Sequence, residues 1–282
     1  MDGNRRWAAK SNVPSGSGHR MGKRRFIDVL DWCLQAGVKT VTVYAWSLEN
    51  FKRSSAEVNE IMKIGQEEAE RMWEEVHIIH SNRVRVRFLG DLQRVPTKLR
   101  QNMTRIMRET MRYRDGPVLN ICFSYTSRYD MANAVADLST IVRNRGLSPD
   151  VVTDEAVAAC LSTGWAKGGD ACMHPQLVVR TSGETRLSDF LLYECSESVL
   201  CFYPVLWPDL TAWDFVKILL EYQSSIKRAS LKQCNCNFFE EGTGGMDPSL
   251  KQALICMRKE HFEELGQCTT EHSRETKRTE SL

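Results

Sequence analysis

The residues best suited to chemistry stand at the start of the chain, in the stretch Asp2-Gly3-Asn4-Arg5-Arg6-Trp7. Glycine lets the backbone approach a ligand closely, because it has no Cβ. The two arginines supply fixed positive charge and paired donors that suit phosphate groups. A carboxylate such as Asp2 beside a phosphate is suited to a divalent metal ion that both groups share. These residue types fit a phosphate site, and they fit an ordinary polar terminus as well.

A second group of residues able to bind an anion follows an apolar, β-branched run. Arg180, Arg186 and Ser188, called the second cradle below, stand close together in sequence. Two guanidiniums and a hydroxyl can hold a diphosphate, whose charge is too large for one arginine. A solvated loop with a Glu184–Arg186 ion pair is the alternative. If residues 2–6, the first cradle, also bind an anion, two diphosphate substrates would explain both groups.

Strands and helices alternate in the rest of the chain, and they must position both cradles. β-branched and apolar runs predict buried strands, and amphipathic periods predict helices between them. The predicted strands are 41–46, 83–89, 117–123, 177–179 and 199–202, and the longest predicted helices are 56–80, 96–113, 129–144 and 213–226. This alternation is typical of an α/β protein with a mainly parallel central sheet flanked by helices.

Three stretches of this pattern carry further information. The loop after the 41–46 strand contains Asn50 and Arg53, and ligands of open α/β sheets bind beyond the carboxyl ends of strands. Residues 83–89 alternate arginine with apolar residues, which predicts a strand with one face in water and solvated arginines. Beyond residue 228 an irregular stretch leads to an amphipathic helix over 248–265 and a polar end that predicts disorder.

The overall composition excludes several classes of protein. A net charge of +2 over 282 residues provides no basic field for binding nucleic acid. The ten cysteines form no CxxC pair and no signal peptide is visible, which predicts a reduced, cytosolic compartment. No apolar run approaches the roughly 18 residues of a transmembrane helix. Membrane association would therefore come from a partner or from a lipid product.

Several blocks of sequence resemble the signature of the cis-prenyltransferase family. After the first cradle and Gly18-His19, these blocks are VYAWSLENFKR at 43–53, RTSGETRLSDFLL at 180–192 and VLWP at 205–208. The RTSGE wording and SYTSR at 124–128 are similar to animal dehydrodolichyl diphosphate synthase catalytic subunits rather than to bacterial enzymes. The resemblance implies one catalytic domain over 1–228, whose sheet and helices enclose a hydrophobic tunnel, followed by a partly helical extension over 229–282.

The resemblance also implies a role for each candidate residue. Asp2 would be the essential catalytic acid and would engage Mg²⁺, while Asn50, also catalytic, and Arg53 would lie beside the reacting centre. The second cradle would hold isopentenyl diphosphate. The residues that would bind the allylic substrate, farnesyl diphosphate, or lie near the diphosphates are Gly3, Asn4, Arg5, Arg6, Trp7 and His19.

The implied reaction adds isopentenyl diphosphate units to farnesyl diphosphate with a new cis double bond each time. The product would be a long-chain polyprenyl (dehydrodolichyl) diphosphate for dolichol synthesis and protein glycosylation. Mg²⁺ and the arginines would stabilise the leaving diphosphate. The proton lost after bond formation has three candidate acceptors, which are Asp2, Asn50 through a water, and the departing diphosphate. The helix over 56–80 and the sheet face would wall the tunnel, with candidate lining residues Val58, Ile61, Met62 and Ile64.

Two departures from the family pattern bear on the first strand and on assembly. The apolar strand that precedes the aspartate motif in the family is absent, so the first strand of the sheet is expected to be missing. Val199 stands where the bacterial homodimer supplies a glutamate to the metal, and the animal subunit also lacks that glutamate. The animal subunit works with a Nogo-B-receptor-type partner, whose C-terminal segment completes the site. The resemblance therefore implies a heteromer at the cytosolic face of the endoplasmic reticulum membrane, anchored by the partner.

Two other interpretations compete with this one. An N-terminally truncated or non-catalytic subunit that stabilises an active partner is favoured by the missing strand. The presence of Asp2, Asn50 and both cradles argues against it, since a subunit without catalysis has no need of two anion sites. A nucleotide-binding α/β protein is weakened by the absence of both GxGxxG and GxxxxGK[ST].

Overall fold

The computed structural model describes residues 1–74, 76–164, 174–229 and 246–267, and its strands and helices confirm the predicted α/β class. The strands are β1 (Thr40–Ser47), β2 (Arg85–Leu89), β3 (Val118–Tyr125), β4 (Leu177–Arg180) and β5 (Val199–Phe202). The helices are α1 (Asn4–Lys10), α2 (Ser15–Gln35), α3 (Ser55–Glu74), α4 (Val76–Ser81), α5 (Thr97–Thr110), α6 (Ser127–Arg145), α7 (Asp154–Cys160), α8 (Ala212–Ala229) and α9 (Pro248–Gln267). The helix predicted over 56–80 is present as α3 and α4, on either side of residue 75, which lies outside the described residues. No helix in the described ranges has the length and apolar character needed to cross a membrane.

β3 is the centre of a three-stranded parallel sheet with the strand order β1-β3-β2. Thr40 of β1 and Arg85 of β2 are both in register with Val118, so the three strands begin at the same level. All eight residues of β3 are buried, as expected of a central strand that has a neighbour on each edge. The carboxyl ends of the three strands consequently lie at one edge of the sheet.

β4 and β5 form a separate two-stranded parallel sheet, in which Leu177 pairs with Val199 and Arg180 with Phe202. Within the described ranges, β1 pairs with β3 alone and β4 with β5 alone, so each has one edge without a strand. Residues of β1 and of β4 line the same cavity. The expected parallel sheet flanked by helices is therefore present, in two parts with a cavity between them.

The main core packs α3 and α5 against the three-stranded sheet. Leu99, Met103 and Ile106 follow helical spacing on α5 and are 0%, 2% and 0% exposed. They belong to one buried cluster with Ile61 of α3 and Val86 of β2. This packing fixes the carboxyl end of β1, from which the loop with the candidate residues departs.

The helix predicted over 248–265 is present as α9. Leu250 and Leu254 are buried in a cluster with residues of α6 and α7. Arg258 donates hydrogen bonds of 2.9 Å to the carbonyl oxygens of Ala159 and Leu161, which ties α9 to the end of α7. The division into a domain over 1–228 and an extension over 229–282 stays a prediction. The irregular stretch from 234 to 245 and the end predicted to be disordered after 267 lie outside the described residues.

The solvated face predicted for residues 83–89 is wrong for β2, although Arg83, just before the strand, is exposed as expected. Arg85 and Arg87 of β2 are only 7% and 8% exposed. Arg87 donates to the carbonyl oxygen of Ser162 at 2.6 Å and, more weakly, to that of Thr163 at 3.4 Å. Burial and the nearby charge of Arg85 lower the pKa of Arg87 to about 9. The alternating pattern therefore marks an interior face, whose arginine is satisfied by carbonyl groups from a distant part of the chain.

Candidate active site

The first cradle begins with a turn that favours glycine for two reasons. Gly3 has a φ of +99°, in the left-handed region that side chains disfavour. A Cβ at this position would also lie 2.8 Å from Leu206 Cδ2 and 3.2 Å from Ser182 Cβ. In this turn the N–H of Gly3 donates to Asp2 Oδ1 at 2.6 Å. The neighbouring backbone thus holds the Asp2 carboxylate in place.

Asp2 is the junction between the two cradles. Arg180 at the end of β4 donates to Asp2 Oδ2 at 2.9 Å, and Arg6 Nη2 lies 3.6 Å from the same oxygen. Burial by itself would raise the pKa of Asp2, but hydrogen bonds from Arg180 and Gly3 and the charges of Arg180 and Arg6 lower it overall. Asp2 is therefore a carboxylate at neutral pH, with a guanidinium on either side.

The second cradle is held together by Arg180. Its Nη1 donates to Ser188 Oγ at 2.7 Å and also bonds to the carbonyl oxygen of Arg186, while its Nη2 bonds to Asp2. The Arg180 side chain is only 15% exposed, whereas Arg186 is 65% exposed. Arg180 is thus a fixed group at the base of the site, and Arg186 is an open one at its rim.

The loop that carries the second cradle is strained. The residues after β4 with a positive φ that are not glycine are Ser182 (79°), Ser188 (52°), Asp189 (61°) and Leu191 (48°). Such conformations cost roughly 1–3 kcal/mol each and persist only where neighbouring contacts enforce them. Here the carboxylate of Asp189 accepts from the N–H of Arg128 at 3.0 Å and from its Nε at 2.9 Å. The start of α6 therefore holds the loop in its shape.

The two cradles form one continuous site. Arg6 of the first cradle donates to Ser182 Oγ at 2.7 Å, and its Nη1 lies 3.1 Å from Glu184 Oε1. Glu184 also pairs with Arg186. The ion pair expected of a merely solvated loop is therefore present, but it is shared with the first cradle. Three guanidiniums meet over two carboxylates at this place, which leaves the cluster positive and suited to an anion.

Asn50 and Arg53 follow β1 and face the first cradle from the other side. Arg53 Nη2 donates to Asn50 Oδ1 at 3.1 Å, and its Nη1 pairs with Glu57 Oε1 at 2.8 Å. The same Glu57 oxygen accepts from Arg5 at 3.2 Å. Burial and then the charge of Arg53 lower the pKa of His19, whose buried Nε2 has no hydrogen-bond partner within the described ranges. Sequence reasoning missed Glu57 as a functional candidate, although the spacing of Arg53 and Glu57 was a signal for an ion pair.

A cavity of about 2260 Å³ connects these residues. Apolar side chains of both sheets and several helices line its interior, among them Val43, Trp46 and Phe123. Almost every candidate residue contributes to the lining, namely Asp2, Gly3, Asn4, Arg5, Arg6, His19, Asn50, Arg53, Arg180, Arg186 and Ser188. The site thus joins a charged cluster to a large apolar space.

Trp7 is the one candidate that lies elsewhere. Its indole nitrogen donates to Asp209 Oδ1 at 2.7 Å, and it is not among the described residues that line the cavity. Tyr44 and Trp46, both of β1, line the cavity. Phe51 packs edge-on against Trp46 with ring centres 5.7 Å apart. Which way an aromatic side chain points on a short helix is set by tertiary contacts, and the motif alone does not show it.

Only some of the residues expected to line the cavity do so. Ile61 and Ile64 of α3 line the cavity, whereas Met62 is buried in the main core and Val58 packs against that core. Two helices not expected as walls also contribute, namely α2 with Phe26, Val29 and Leu30 and α8 with Ile218 and Leu219. Apolar residues at helical spacing over 26–34 are typical of a helix with one buried face. This spacing does not distinguish a packed core from an open cavity.

The arrangement fits a magnesium ion that is bound together with a diphosphate. Mg²⁺ is commonly held by one or two carboxylates and by substrate phosphates, with waters as further ligands. Asp2 offers one ionised carboxylate among arginines that would hold the phosphates. Across the part of the chain that the structure describes, no cluster of three or more metal-binding side chains occurs. The residues therefore suit a metal that arrives with its ligand.

The sequence matches a known protein family over most of its length. A family model described as "Putative undecaprenyl diphosphate synthase" covers residues 1–230. The chain belongs to this prenyltransferase family. The match includes both cradles and the loop after β1, so the residues that meet around Asp2 all lie within the family region.

Individual proteins similar to this chain have names that fit this family. The human dehydrodolichyl diphosphate synthase complex subunit is 40% identical over 223 residues, which are 79% of this chain and 65% of the human protein. The isoprenyl transferase of Thermus thermophilus is 39% identical over 232 residues, which are 81% of this chain and 85% of that protein. The matched region thus spans less than two thirds of the human relative.

A solved structure shares the fold. Lavandulyl diphosphate synthase from Lavandula x intermedia, crystallised with dimethylallyl diphosphate, superimposes with a TM-score of 0.73 at 27% identity. The superposition covers 79% of this chain and 92% of that protein. This likeness agrees with an α/β fold that has a parallel sheet flanked by helices.

Proposed function

We propose that this chain is the catalytic subunit of a cis-prenyltransferase. It would add isopentenyl diphosphate units to farnesyl diphosphate and make a long-chain dehydrodolichyl diphosphate for dolichol synthesis and protein glycosylation. One observation carries the proposal: Asp2 lies between Arg6 and Arg180, where the charged cluster meets a large apolar cavity. The relatives named as diphosphate synthases support this choice of reaction.

The arginines have two tasks in the proposed reaction. Arg5 and Arg6 bind the allylic diphosphate, and the second cradle binds isopentenyl diphosphate beside it. Because Arg6 bonds to Ser182, in the loop that carries the second cradle, the two substrates are held side by side, as bond formation requires. The double bond of the isopentenyl group attacks C1 of the allylic substrate, its diphosphate departs, and a proton is then lost. The fixed guanidiniums stabilise the charge that gathers on the leaving group.

The Asp2 carboxylate holds the metal in this proposal. When bound, Mg²⁺ would neutralise part of the charge on the departing diphosphate. The lowered pKa of Asp2 keeps it ionised and ready to ligate across the neutral range. The growing prenyl chain would lie in the apolar cavity, whose volume of about 2260 Å³ leaves room for several isoprene units.

Incorporation of labelled isopentenyl diphosphate onto farnesyl diphosphate with Mg²⁺ tests the proposal. The chain is assayed alone and with a partner subunit, each beside the Asp2→Ala variant. The matched control is Asp150→Ala, an exposed aspartate outside the cavity lining. Activity that disappears in Asp2→Ala and persists in the control is the expected result. A folded, partner-bound chain without incorporation would instead favour a non-catalytic subunit.

The proposal includes a heteromer with a Nogo-B-receptor-type subunit. The human relative is named as a subunit of a complex, which supports this choice. On α8, Trp213, Val216 and Leu220 are 75%, 41% and 56% exposed and share one face. We take this face as the contact surface and the partner as the anchor at the cytosolic side of the endoplasmic reticulum membrane.

Replacement of an exposed side chain on α8 tests the assembly. Trp213→Ser should weaken co-purification with the partner and leave the melting temperature of the isolated chain almost unchanged, because this side chain is 75% exposed. Lys251→Ser, on the exposed side of α9, is the control. Undiminished co-purification of Trp213→Ser would exclude this face as the contact surface.

A further inference from the structure

Glu57 holds two arginines from distant segments of the chain with a single oxygen atom. Its Oε1 accepts from Arg53 Nη1 at 2.8 Å and from Arg5 Nη1 at 3.2 Å. Arg5 belongs to the first cradle, and Arg53 belongs to the loop after β1. Glu57 therefore links two segments of the site that are far apart in sequence.

The position of Glu57 itself is well defined. It lies in the first turn of α3, where Ser54 Oγ accepts from its N–H at 3.3 Å. A helix N-terminus stabilises a carboxylate in its first turn. The side chains of Glu57 and Arg53 are only 23% and 26% exposed, so their ion pair is partly shielded from solvent. Such a pair is a firmer contact than the open one between Glu184 and Arg186, whose arginine is 65% exposed.

Arg53, which Glu57 holds in place, in turn bonds to Asn50. Its second nitrogen, Nη2, donates to Asn50 Oδ1 at 3.1 Å, and its guanidinium lies 5.4 Å from the centre of the Trp46 ring. The guanidinium is thus held on three sides. An asparagine amide whose oxygen already accepts from an arginine has its NH₂ group left to donate to a ligand. Asn50 lines the cavity, so that ligand would be in the cavity.

We propose that Glu57 is a positioning residue that orients the amide of Asn50 through Arg53. The inference rests on the proposed prenyltransferase function, in which Asn50 lies beside the reacting centre. A misdirected amide would weaken interactions made in the transition state and would therefore lower kcat. The second cradle, which binds isopentenyl diphosphate, does not contact Glu57, so KM for that substrate is expected to be nearly unchanged.

Steady-state kinetics of the complete complex test the inference. Glu57→Gln keeps the size of the side chain and removes its charge, and it should lower kcat about 10-fold with KM for isopentenyl diphosphate within about twofold of wild type. Glu57→Asp keeps the charge on a shorter side chain and should recover part of the loss. Glu67→Gln, exposed on the same helix, is the matched control and should behave as wild type.

Double variants distinguish orientation from a general structural role. In an Arg53→Met background, which has no donor for either partner, adding Glu57→Gln should lower kcat no further. The same holds in an Asn50→Ala background. If Glu57 has a purely structural role, Glu57→Gln should lower the melting temperature and should reduce kcat by the same further factor in both backgrounds. That result would overturn the inference.

The outcome also separates this inference from the function on which it rests. An inactive wild-type complex would overturn the proposed function and the inference together. An active wild type with an unchanged kcat in Glu57→Gln would overturn the inference alone. If Glu57→Gln does not fold, Glu57→Asp in the two backgrounds decides between additive and non-additive effects.

Discussion

The three-stranded and two-stranded sheets differ sharply in how deeply they are buried. All five residues of β2, all eight of β3 and three of the eight of β1 are buried, whereas only Val178 in β4 and Cys201 in β5 are. Val179 and Leu200 are even 37% and 43% exposed. The candidate site takes Asn50 and Arg53 from the side of the well-packed sheet and the second cradle from the side of the other. One side of the site is therefore a firm scaffold, and the other depends on contacts made by its own loop.

The backbone shows the same contrast. The loop after β4 contains four of the positive-φ residues that are not glycine, whereas the loop with Asn50 and Arg53 contains none. The loop after β1 is shaped by regular structure, with a short 3₁₀ helix over Leu48–Lys52 that leads towards α3. The strained loop is held by side-chain contacts, such as that between Arg128 and Asp189. Substitutions should therefore act differently on the two sides.

The largest effect is expected where the two sides meet. Arg180→Ala removes the hydrogen bonds to Asp2 and Ser188 and should lower kcat/KM about 1,000-fold, because a fixed donor to the leaving group or substrate is lost. Incorporation of isopentenyl diphosphate by the complete complex measures it. Arg83→Ala, with a side chain 61% exposed and outside the cavity lining, is the control. An equal loss in both variants would mean that the assay reports folding rather than catalysis.

The next effect concerns stability and contrasts the two sheets directly. Leu99→Ala leaves a cavity in the main core beside the three-stranded sheet and should lower the free energy of unfolding by about 3 kcal/mol. Leu200→Ala, on exposed β5, should change it by about 0.5 kcal/mol or less. Urea denaturation measures both. Equal losses of unfolding free energy would show that the two-stranded sheet is buried as deeply as the three-stranded sheet.

A smaller effect should appear in the pH dependence of stability. The pKa of Asp2 is lowered in the folded chain, so its ionised form stabilises the fold above the ordinary value of 3.8, and this contribution is lost as the pH falls through the folded pKa. The melting temperature of Asp2→Asn should therefore fall further behind that of wild type as the pH rises.

Asp130 provides the opposite case on the well-packed side. Burial raises its pKa, although hydrogen bonds from Ser162 reduce the shift. A raised carboxyl pKa means that stability is lost as the pH rises above 3.8 towards the folded value. The melting temperature of Asp130→Asn should therefore rise relative to that of wild type as the pH rises. Thermal denaturation of both variants and of wild type from acid to neutral pH measures how each difference in melting temperature changes with pH. If the two differences change in the same direction, the opposite pKa shifts of Asp2 and Asp130 are contradicted.

The smallest effect is expected from the open ion pairs at the rim. Glu184→Gln breaks the pairs with Arg6 and Arg186, whose side chains are 48% and 65% exposed. Pairs of this kind contribute little, and salt screens them, so the free energy of unfolding should change by about 0.5 kcal/mol or less. Urea denaturation at low and high salt checks this. A large, salt-independent loss would show that Glu184 supports the loop itself.

Sequence reasoning performed well where local pattern decides the structure. The alternation of strands and helices predicted the α/β class, and the positions of Asp2, Arg180 and Ser188 in a family motif predicted that they act together. The structure brings these three side chains within hydrogen-bond distance of one another through Arg180. For Arg180 and Ser188 the end of β4 also indicated a site, because ligand-binding loops follow the carboxyl ends of parallel strands.

The rest depended on contacts between distant segments. Arg87 is buried because carbonyl groups at residues 162 and 163 reach it, which an alternating pattern does not reveal. Trp7 bonds to Asp209 instead of lining the cavity. Glu57 became a candidate only when Arg5 and Arg53 were seen on the same oxygen. In each case a tertiary contact that the sequence does not show decides where the side chain lies.

The strained loop has a consequence for how this protein can change over generations. At Ser182, with a φ of 79°, glycine would relieve the backbone, and it is the simplest substitution by which selection for heat resistance alone could improve the loop. The same substitution removes the hydroxyl that accepts a 2.7 Å hydrogen bond from Arg6. Lineages in hot environments that must keep this contact between Arg6 and the loop would therefore retain serine here, or adopt asparagine, which tolerates the left-handed backbone and still carries an oxygen.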